Sequence, residues 1–152
     1  MRRFLLLALV VLAVVGYPAV TAAGPNGSDN GTTCSLTTQL RGANEVPARD
    51  TAAFGHTQIK IRNDNTLEFK THIINDGATF TAGHVHRAPA GVNGPVVVPL
   101  NPAAGSEDQI KRSGEIAIAA ALAADICANP DQYYVNYHTT QFPGGVIRGQ
   151  LG

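Results

Sequence analysis

The sequence lacks the charge imbalance and the local motifs that identify many common protein classes. Of its 152 residues none is tryptophan, only 14% are charged, and basic and acidic residues balance at 11 each. Proteins that bind nucleic acid usually carry an excess of positive charge on one face to meet the phosphates. The balance therefore argues against a nucleic acid as a partner.

Motifs of the common enzyme classes are also missing. The chain has no G-x-S-x-G element, no Walker loop, no dinucleotide-binding fingerprint and no carboxylate pair in a recognisable context. Past the first 15 residues no apolar run is long enough to span a membrane or anchor the chain in one. No enzyme class is supported, although a catalytic triad needs no proximity in sequence.

The first residues resemble an export signal. Two arginines precede an unbroken apolar run over residues 4–15, which is too short to cross a bilayer of roughly 30 Å. The pattern predicts a signal peptide over residues 1–23, cleaved near Ala22 or Ala23, with a membrane anchor as the alternative. Secretion to an extracellular or periplasmic space follows, with no membrane contact after cleavage. Cleavage would leave 9 Lys and Arg against 11 Asp and Glu, a net charge of 9 − 11 = −2.

Residues 24–33, GPNGSDNGTT, lack large apolar side chains and are rich in turn formers, so we predict a disordered tether. The tether carries two glycosylation sequons, at Asn26 and Asn30. The rest of the chain, residues 34–152, is predicted to form one domain.

The two cysteines, Cys34 and Cys127, lie near opposite ends of that domain. An exported chain meets an oxidising environment, so we predict a disulfide between them. The loop of about 94 residues would stabilise the fold by on the order of 4 to 5 kcal/mol in the chain-entropy model. Two unpaired thiols are the alternative, because sequence alone does not place the sulfurs within bonding distance.

From Phe54 onward the hydrophobic pattern has a period of two, which is typical of β-strands. Two such runs flank Asn63-Asp64-Asn65, which predicts a hairpin whose three-residue loop ends with Asn65 in the left-handed conformation. Keeping the apolar faces together sets the register. The predicted opposite pairs are Ile61 with Leu67, Ile59 with Phe69, Lys60 with Glu68 and His56 with His72.

Further short strands are predicted over residues 80–86, 96–100, 115–119, 133–139 and 146–151, with Gly and Pro between them. An Ala-rich segment, residues 119–128, predicts one short connecting helix ended by Asn129-Pro130. Many short strands with turns between them indicate an all-β fold, either an antiparallel β-sandwich or a Greek-key barrel.

Three histidines are candidate metal ligands. His84 and His86 are two apart on a predicted strand, so both imidazoles project from one face. His138 in the penultimate strand has the parity to join them. Three neutral imidazoles suit copper or zinc and leave a coordination position open. The alternative is a hydrogen-bonded structural cluster without a metal.

The predicted last hairpin brings an arginine to the same face. With apolar residues kept together, Tyr137 is expected opposite Gly149, which would place His138 beside Arg148. The same parity places Gln150 next to Asn136. Three histidines and one arginine would then converge.

Other polar residues are expected to be structural. We interpret His56 and His72 as a solvated surface pair, because they share their face with charged side chains. Glu45, among apolar neighbours, would need a hydrogen-bond partner if buried. The charged neighbours of the histidine pair are Lys60, Arg62, Glu68 and Lys70.

Five motifs in a fixed order resemble a CHRD domain, the module named after chordin, from about Cys34 to Leu151. They are LRGANEVP at 40–47, GHVH at 83–86, GVNGPVVV at 91–98, YVNYHT at 134–139 and FPGGVIRGQL at 142–151. The resemblance implies a secreted all-β module with no known enzyme activity. Chordin carries such modules in tandem and antagonises bone morphogenetic proteins. This chain has one copy and no Cys-rich flanking modules, so that activity is not carried over.

A looser likeness connects the His-Val-His strand, the late histidine and the final strand bearing Arg148 to the copper site of copper/zinc superoxide dismutases. The bridging histidine and the zinc-loop ligands of those enzymes have no clear counterpart. Two hypotheses follow. The first is a non-enzymatic extracellular module that binds an extracellular protein or surface ligand, with or without a three-His metal site. The alternative is a copper-dependent, dismutase-like enzyme with His84, His86 and His138 as ligands and Arg148 guiding the anion.

Overall fold

The computed structural model describes residues 31–101 and 103–152. The predicted signal peptide, most of the predicted tether and the asparagines of both sequons lie outside these residues. The regular elements are β1 (Thr32–Arg41), β2 (Phe54–Arg62), β3 (Thr66–Ile74), β4 (Phe80–Arg87), β5 (Val96–Pro99), β6 (Gln109–Ala117), α1 (Ala120–Ala128), β7 (Tyr133–Thr139) and β8 (Ile147–Gln150). Two short 3-10 turns lie at Gly42–Asn44 and Pro130–Gln132.

The strands form one antiparallel sheet in the order β5-β4-β7-β8-β1-β2-β3-β6. The sheet curls into a half-barrel around the core, so that β7 faces β3: the Tyr137 hydroxyl donates to Thr71 Oγ1 at 2.7 Å across the interior. Thr71 in turn bonds Thr57 at 2.7 Å. The predicted all-β fold of sandwich or barrel type is confirmed, with α1 as the short connecting helix.

The predicted hairpin is confirmed in both its turn and its register. Asn65 has a φ of 63°, the left-handed conformation. The opposite pairs in β2 and β3 are those that the sequence predicts, including His56 with His72. Alternation explains the result, because any odd shift would turn the buried Ile59 and Phe69 into solvent.

Two parts of the sheet differ from the sequence-based expectation. β1 was not predicted, and it begins at Thr32, inside the expected tether. Its inward positions include Thr38, so the apolar alternation is weak. β6 begins at Gln109, six residues before the predicted start at Glu115. The prediction missed these residues because Arg112 and Gly114 occupy inward positions between Ile110 and Ile116, which hides the apolar period of two.

Cys34 of β1 and Cys127 of α1 lie at disulfide-bonding distance, with their Cα atoms 5.8 Å apart. This separation is within the range that a disulfide requires. The pair attaches the helix to the centre of the sheet, since β1 has neighbours on both sides. In the part of the chain that the structure describes, no helix has the length and apolar character needed to cross a membrane.

Candidate metal centre

The three predicted histidines meet on the outer face of the sheet, where β4 lies beside β7. In the observed register His84 is opposite Asn136 and Ala82 is opposite His138, so His138 is a diagonal neighbour of His84. One ring nitrogen from each of the three histidines lies within 4.8 Å of the others. The convergence predicted from strand parity is confirmed.

Backbone carbonyls set the tautomers of two of the rings. His86 Nδ1 is 2.9 Å from the carbonyl oxygen of Gly94, and His138 Nδ1 is 3.0 Å from that of Pro143. A carbonyl only accepts, so each Nδ1 must carry the hydrogen. The Nε2 lone pairs of both rings are therefore left for the centre of the cluster. This is the outer-shell arrangement that orients histidine ligands at metal sites.

The third ring presents its other nitrogen. His84 Nδ1 lies 2.9 Å from His138 Nε2. Because His138 Nε2 has no hydrogen in this tautomer, His84 Nδ1 donates one to it. A metal ion would take the place of that hydrogen, with the proton of His84 carried on its other nitrogen instead.

The nitrogen separations are close to those of a coordination site. Metal–imidazole bonds of about 2.0–2.1 Å allow two ligand nitrogens to be at most about 4.2 Å apart. His84 Nδ1 and His138 Nε2 are well inside this limit, at 2.9 Å from each other, whereas the largest separation between two ligand nitrogens of the cluster is 4.8 Å. The widest pair of nitrogens would therefore have to approach by at least about 0.6 Å when a metal binds.

Burial keeps the three imidazoles neutral. Desolvation lowers the pKa of His84 to about 4, with smaller contributions from the charges that His138 and His86 would carry. The pKa values of His86 and His138 are also lowered, in each case mainly by burial, despite the opposing effect of their carbonyl partners. Neutral imidazole is the form that binds metals, so the ligands need no deprotonation at pH 7.

Arg148 does not lie beside His138, as the expected register of the last hairpin would require. It is opposite Asn136, Ile147 is opposite Tyr137, and Gln150 is opposite Tyr134. The pairing begins two residues earlier because the chain reverses tightly, with the Val146 amide donating to the Tyr137 carbonyl. A shift of two residues preserves the face, so Arg148 still lies on the side of the histidines.

The guanidinium of Arg148 is buried, with 1% of the residue exposed. Its Cζ lies 3.3 Å from the centre of the Tyr134 ring. Its Nη2 donates to the Pro89 carbonyl at 3.1 Å, and its Nη1 donates to Asn93 Oδ1 at 3.4 Å. These contacts fix the loop over residues 88–94 to the sheet, and they leave the guanidinium away from the surface that an approaching anion would meet first.

Tyr134 connects this arginine to the histidines, and sequence analysis did not single it out. Its ring stacks on His86, with ring centres 4.8 Å apart and planes 7° from parallel. Its hydroxyl oxygen accepts the Gly94 amide hydrogen at 3.1 Å. Tyr134 of β7 lies opposite His86 of β4 on one side and opposite Gln150 of β8 on the other, so these three side chains form a row across the sheet. Strand parity could have shown this, because all three share the even-numbered face.

Glu45 is buried beneath the same loops, as its apolar context suggested. Its Oε2 accepts a long hydrogen bond of 3.5 Å from the Asn136 amide, and its Oε1 has no partner among the described residues. Burial raises its pKa to about 7, against the opposing charges of Arg148 and Arg49. The desolvation penalty therefore outweighs the attraction of two cations, and the carboxyl is half protonated near neutral pH.

His56 and His72 lie elsewhere, on the outer face of β2 and β3, with ring centres 5.7 Å apart. They do not join the histidine cluster, because three strands of the sheet separate β4 from β2 and four separate it from β3.

Comparison with known proteins supplies one family. The model of the CHRD domain matches residues 36–151. No curated protein and no solved structure matches the chain significantly.

Proposed function

Because the chain belongs to the CHRD family, a family of extracellular modules, we propose that it is a secreted, non-enzymatic module that holds one copper ion on His84, His86 and His138. Export is supported by the apolar leader over residues 4–15 and by the cysteine pair, which suits an oxidising compartment. The ion would link β4 to β7 and so stabilise the folded domain.

The observation that carries the proposal is the buried Nε2 of His86. It has no hydrogen-bond partner among the described residues, while its ring is held on the other side by the Gly94 carbonyl. A buried polar atom without a partner costs about 1–3 kcal/mol. A metal ion between this nitrogen, His84 Nδ1 and His138 Nε2 would remove that cost.

The ligand chemistry favours copper. The cluster contains imidazoles alone, without a thiolate or carboxylate among the described residues of the group. Imidazole sites bind several transition metals, but the affinity order of the divalent ions reaches its maximum at copper. Zinc is the principal competitor, since three histidines also form common zinc sites.

Metal analysis of the purified, secreted protein tests the proposal. After removal of metal and reconstitution with equal copper and zinc, we expect about one copper per chain. His84→Ala and His86→Ala should each lower copper to below about 0.1 per chain, because two imidazoles bind far more weakly than three. His72→Ala, which removes a histidine from the surface pair, is the matched control and should keep full copper.

Wild-type protein that retains less than about 0.1 copper or zinc per chain would overturn the proposal. Full occupancy by zinc alone would overturn the choice of copper. Catalytic consumption of superoxide by the copper-loaded protein, absent in His84→Ala, would instead favour the dismutase-like alternative.

A further inference from the structure

The outer face of β1, β2, β3 and β6 carries a groove of about 550 Å³ that is separate from the histidine cluster. We propose that this groove binds an acidic polysaccharide, a carbohydrate chain bearing sulfate or carboxylate groups. The proposal does not depend on the metal, since the groove and the cluster lie on different strands.

The register of the sheet builds the groove from two rows of side chains. One row runs across the strands through His56, His72 and Lys111. The row beside it carries Lys70, with Gln58 and Ser113 as its neighbours on the adjacent strands. Lys70 and Lys111 are therefore diagonal neighbours, with backbone positions about 7–8 Å apart.

The charge of the groove has one sign. None of the described residues that line it is acidic. Within the described ranges neither Lys70 nor Lys111 forms an ion pair, and both are exposed. The acidic residues of the same face, Glu68 and Glu115, are both paired with Arg62 at the far end. Two of the three lysines of the chain thus lie unpaired in one depression.

The other lining groups suit hydroxyl-rich sugars better than other polyanions. Thr37, Gln58 and Ser113 offer both donors and acceptors, which a sugar hydroxyl can satisfy in either sense. The described residues that line it include no Phe, Tyr or Trp on which a nucleic-acid base could stack, and the rings present are the two imidazoles of His56 and His72.

Binding to immobilised polysaccharides tests the inference on the full secreted protein. We use heparin as the sulfated chain and alginate as the carboxylated chain, both at low salt. Wild-type protein should bind at least one of the two, and Lys70→Glu with Lys111→Glu should weaken that binding by at least about tenfold, because both exposed charges are reversed. The polysaccharide from which the protein elutes at the higher salt concentration shows whether sulfate or carboxylate groups are preferred.

The control reverses two exposed or partly exposed cations outside the groove, Arg41→Glu with Lys60→Glu, which changes the net charge by the same amount. It should lose less than about threefold in affinity. A second groove variant, Lys70→Gln with Lys111→Gln, tests the same loss without introducing repulsion, and circular dichroism shows that each variant is folded.

Equal loss in the groove and control variants would mean diffuse attraction and would overturn the proposal. So would failure of the wild type to bind either polysaccharide at low salt. Equal retention on duplex DNA and on both polysaccharides would overturn the assignment to carbohydrate.

Discussion

At the residue scale, the histidine cluster depends on which nitrogen of each ring carries a hydrogen. The carbonyls of Gly94 and Pro143 hold that hydrogen on Nδ1 of His86 and His138, which aims both Nε2 lone pairs inward. His84 Nδ1 also points into the cluster, because it donates its hydrogen to His138 Nε2. The site is thus prepared by hydrogen bonds that no side-chain motif records.

Glu45 gives a prediction at the same scale. Its pKa is raised to about 7, so the folded protein keeps the proton that the unfolded chain releases near pH 4.5. Its stabilising contribution is fully present below pH 4.5 and is lost as the pH rises through 7. We expect wild-type protein to lose about 1 to 3 kcal/mol of unfolding free energy relative to Glu45→Gln between pH 4.5 and pH 8.

Urea denaturation of the two metal-free proteins at several pH values measures this difference. Effects of the buried histidines cancel, because both proteins contain them. A difference that stays constant with pH would show that folding leaves the Glu45 pKa unshifted, and a wild type that gains stability over the variant as the pH rises would show that Glu45 is ionised and stabilised by Arg148. Either result would contradict the prediction.

At the element scale, the loop between β7 and β8 both sets the register of β8 and supplies the carbonyl that orients His138. Gly145 has a φ of 125°, and a Cβ there would lie 2.5 Å from Asn136 Nδ2 and 2.8 Å from Glu45 Oε1. Only glycine fits both restrictions without strain. Its neighbour Gly144 has open space in the same position.

Gly145→Ala should therefore lower the unfolding free energy by about 1–3 kcal/mol, and it should weaken copper binding, because the Pro143 carbonyl would move. The control, Gly144→Ala, should change stability by less than about 0.5 kcal/mol. Chemical denaturation and a copper competition titration measure the two effects. Equal stability of the two variants would contradict the packing that we describe around Asn136.

Predictability from sequence also differs between elements for physical reasons. The β2-β3 hairpin was predictable to the residue, because Ile59, Ile61, Leu67 and Phe69 alternate strictly with charged neighbours. β1 and the start of β6 were not, since Thr38 and Arg112 occupy inward positions. The parity that brought His84, His86 and His138 together follows from the pleat, whereas the two-residue shift of Arg148 depends on loop geometry that the sequence does not specify.

At the scale of the whole molecule, one sheet carries the histidine cluster, the cationic groove and one cysteine of a pair at disulfide-bonding distance. The histidine cluster lies on β4 and β7, and the cationic groove lies on β1, β2, β3 and β6. Cys34 on β1 and Cys127 on α1 lie at disulfide-bonding distance, apart from both sites. Each proposed function can therefore be tested by substitutions that leave the other site unchanged.

The pair of Cys34 and Cys127 provides a third prediction. If the disulfide forms, the intact mass under non-reducing conditions should be lower by two hydrogens than after reduction. Cys34→Ser with Cys127→Ser should lower the unfolding free energy by up to about 4 to 5 kcal/mol. The same variant should keep its copper stoichiometry wherever it is folded, since neither cysteine belongs to the cluster. Two titratable thiols in freshly secreted protein would contradict the bond.

The most direct test of the central claim is pulsed electron paramagnetic resonance of the protein loaded with one equivalent of copper(II) and labelled with nitrogen-15 on histidine. A copper ion held by His84, His86 and His138 should show coupling to three directly bound imidazole nitrogens, reduced in His86→Ala and unchanged in His72→Ala. Coupling to fewer than three nitrogens in the wild type, or a spectrum that His86→Ala does not alter, would contradict it.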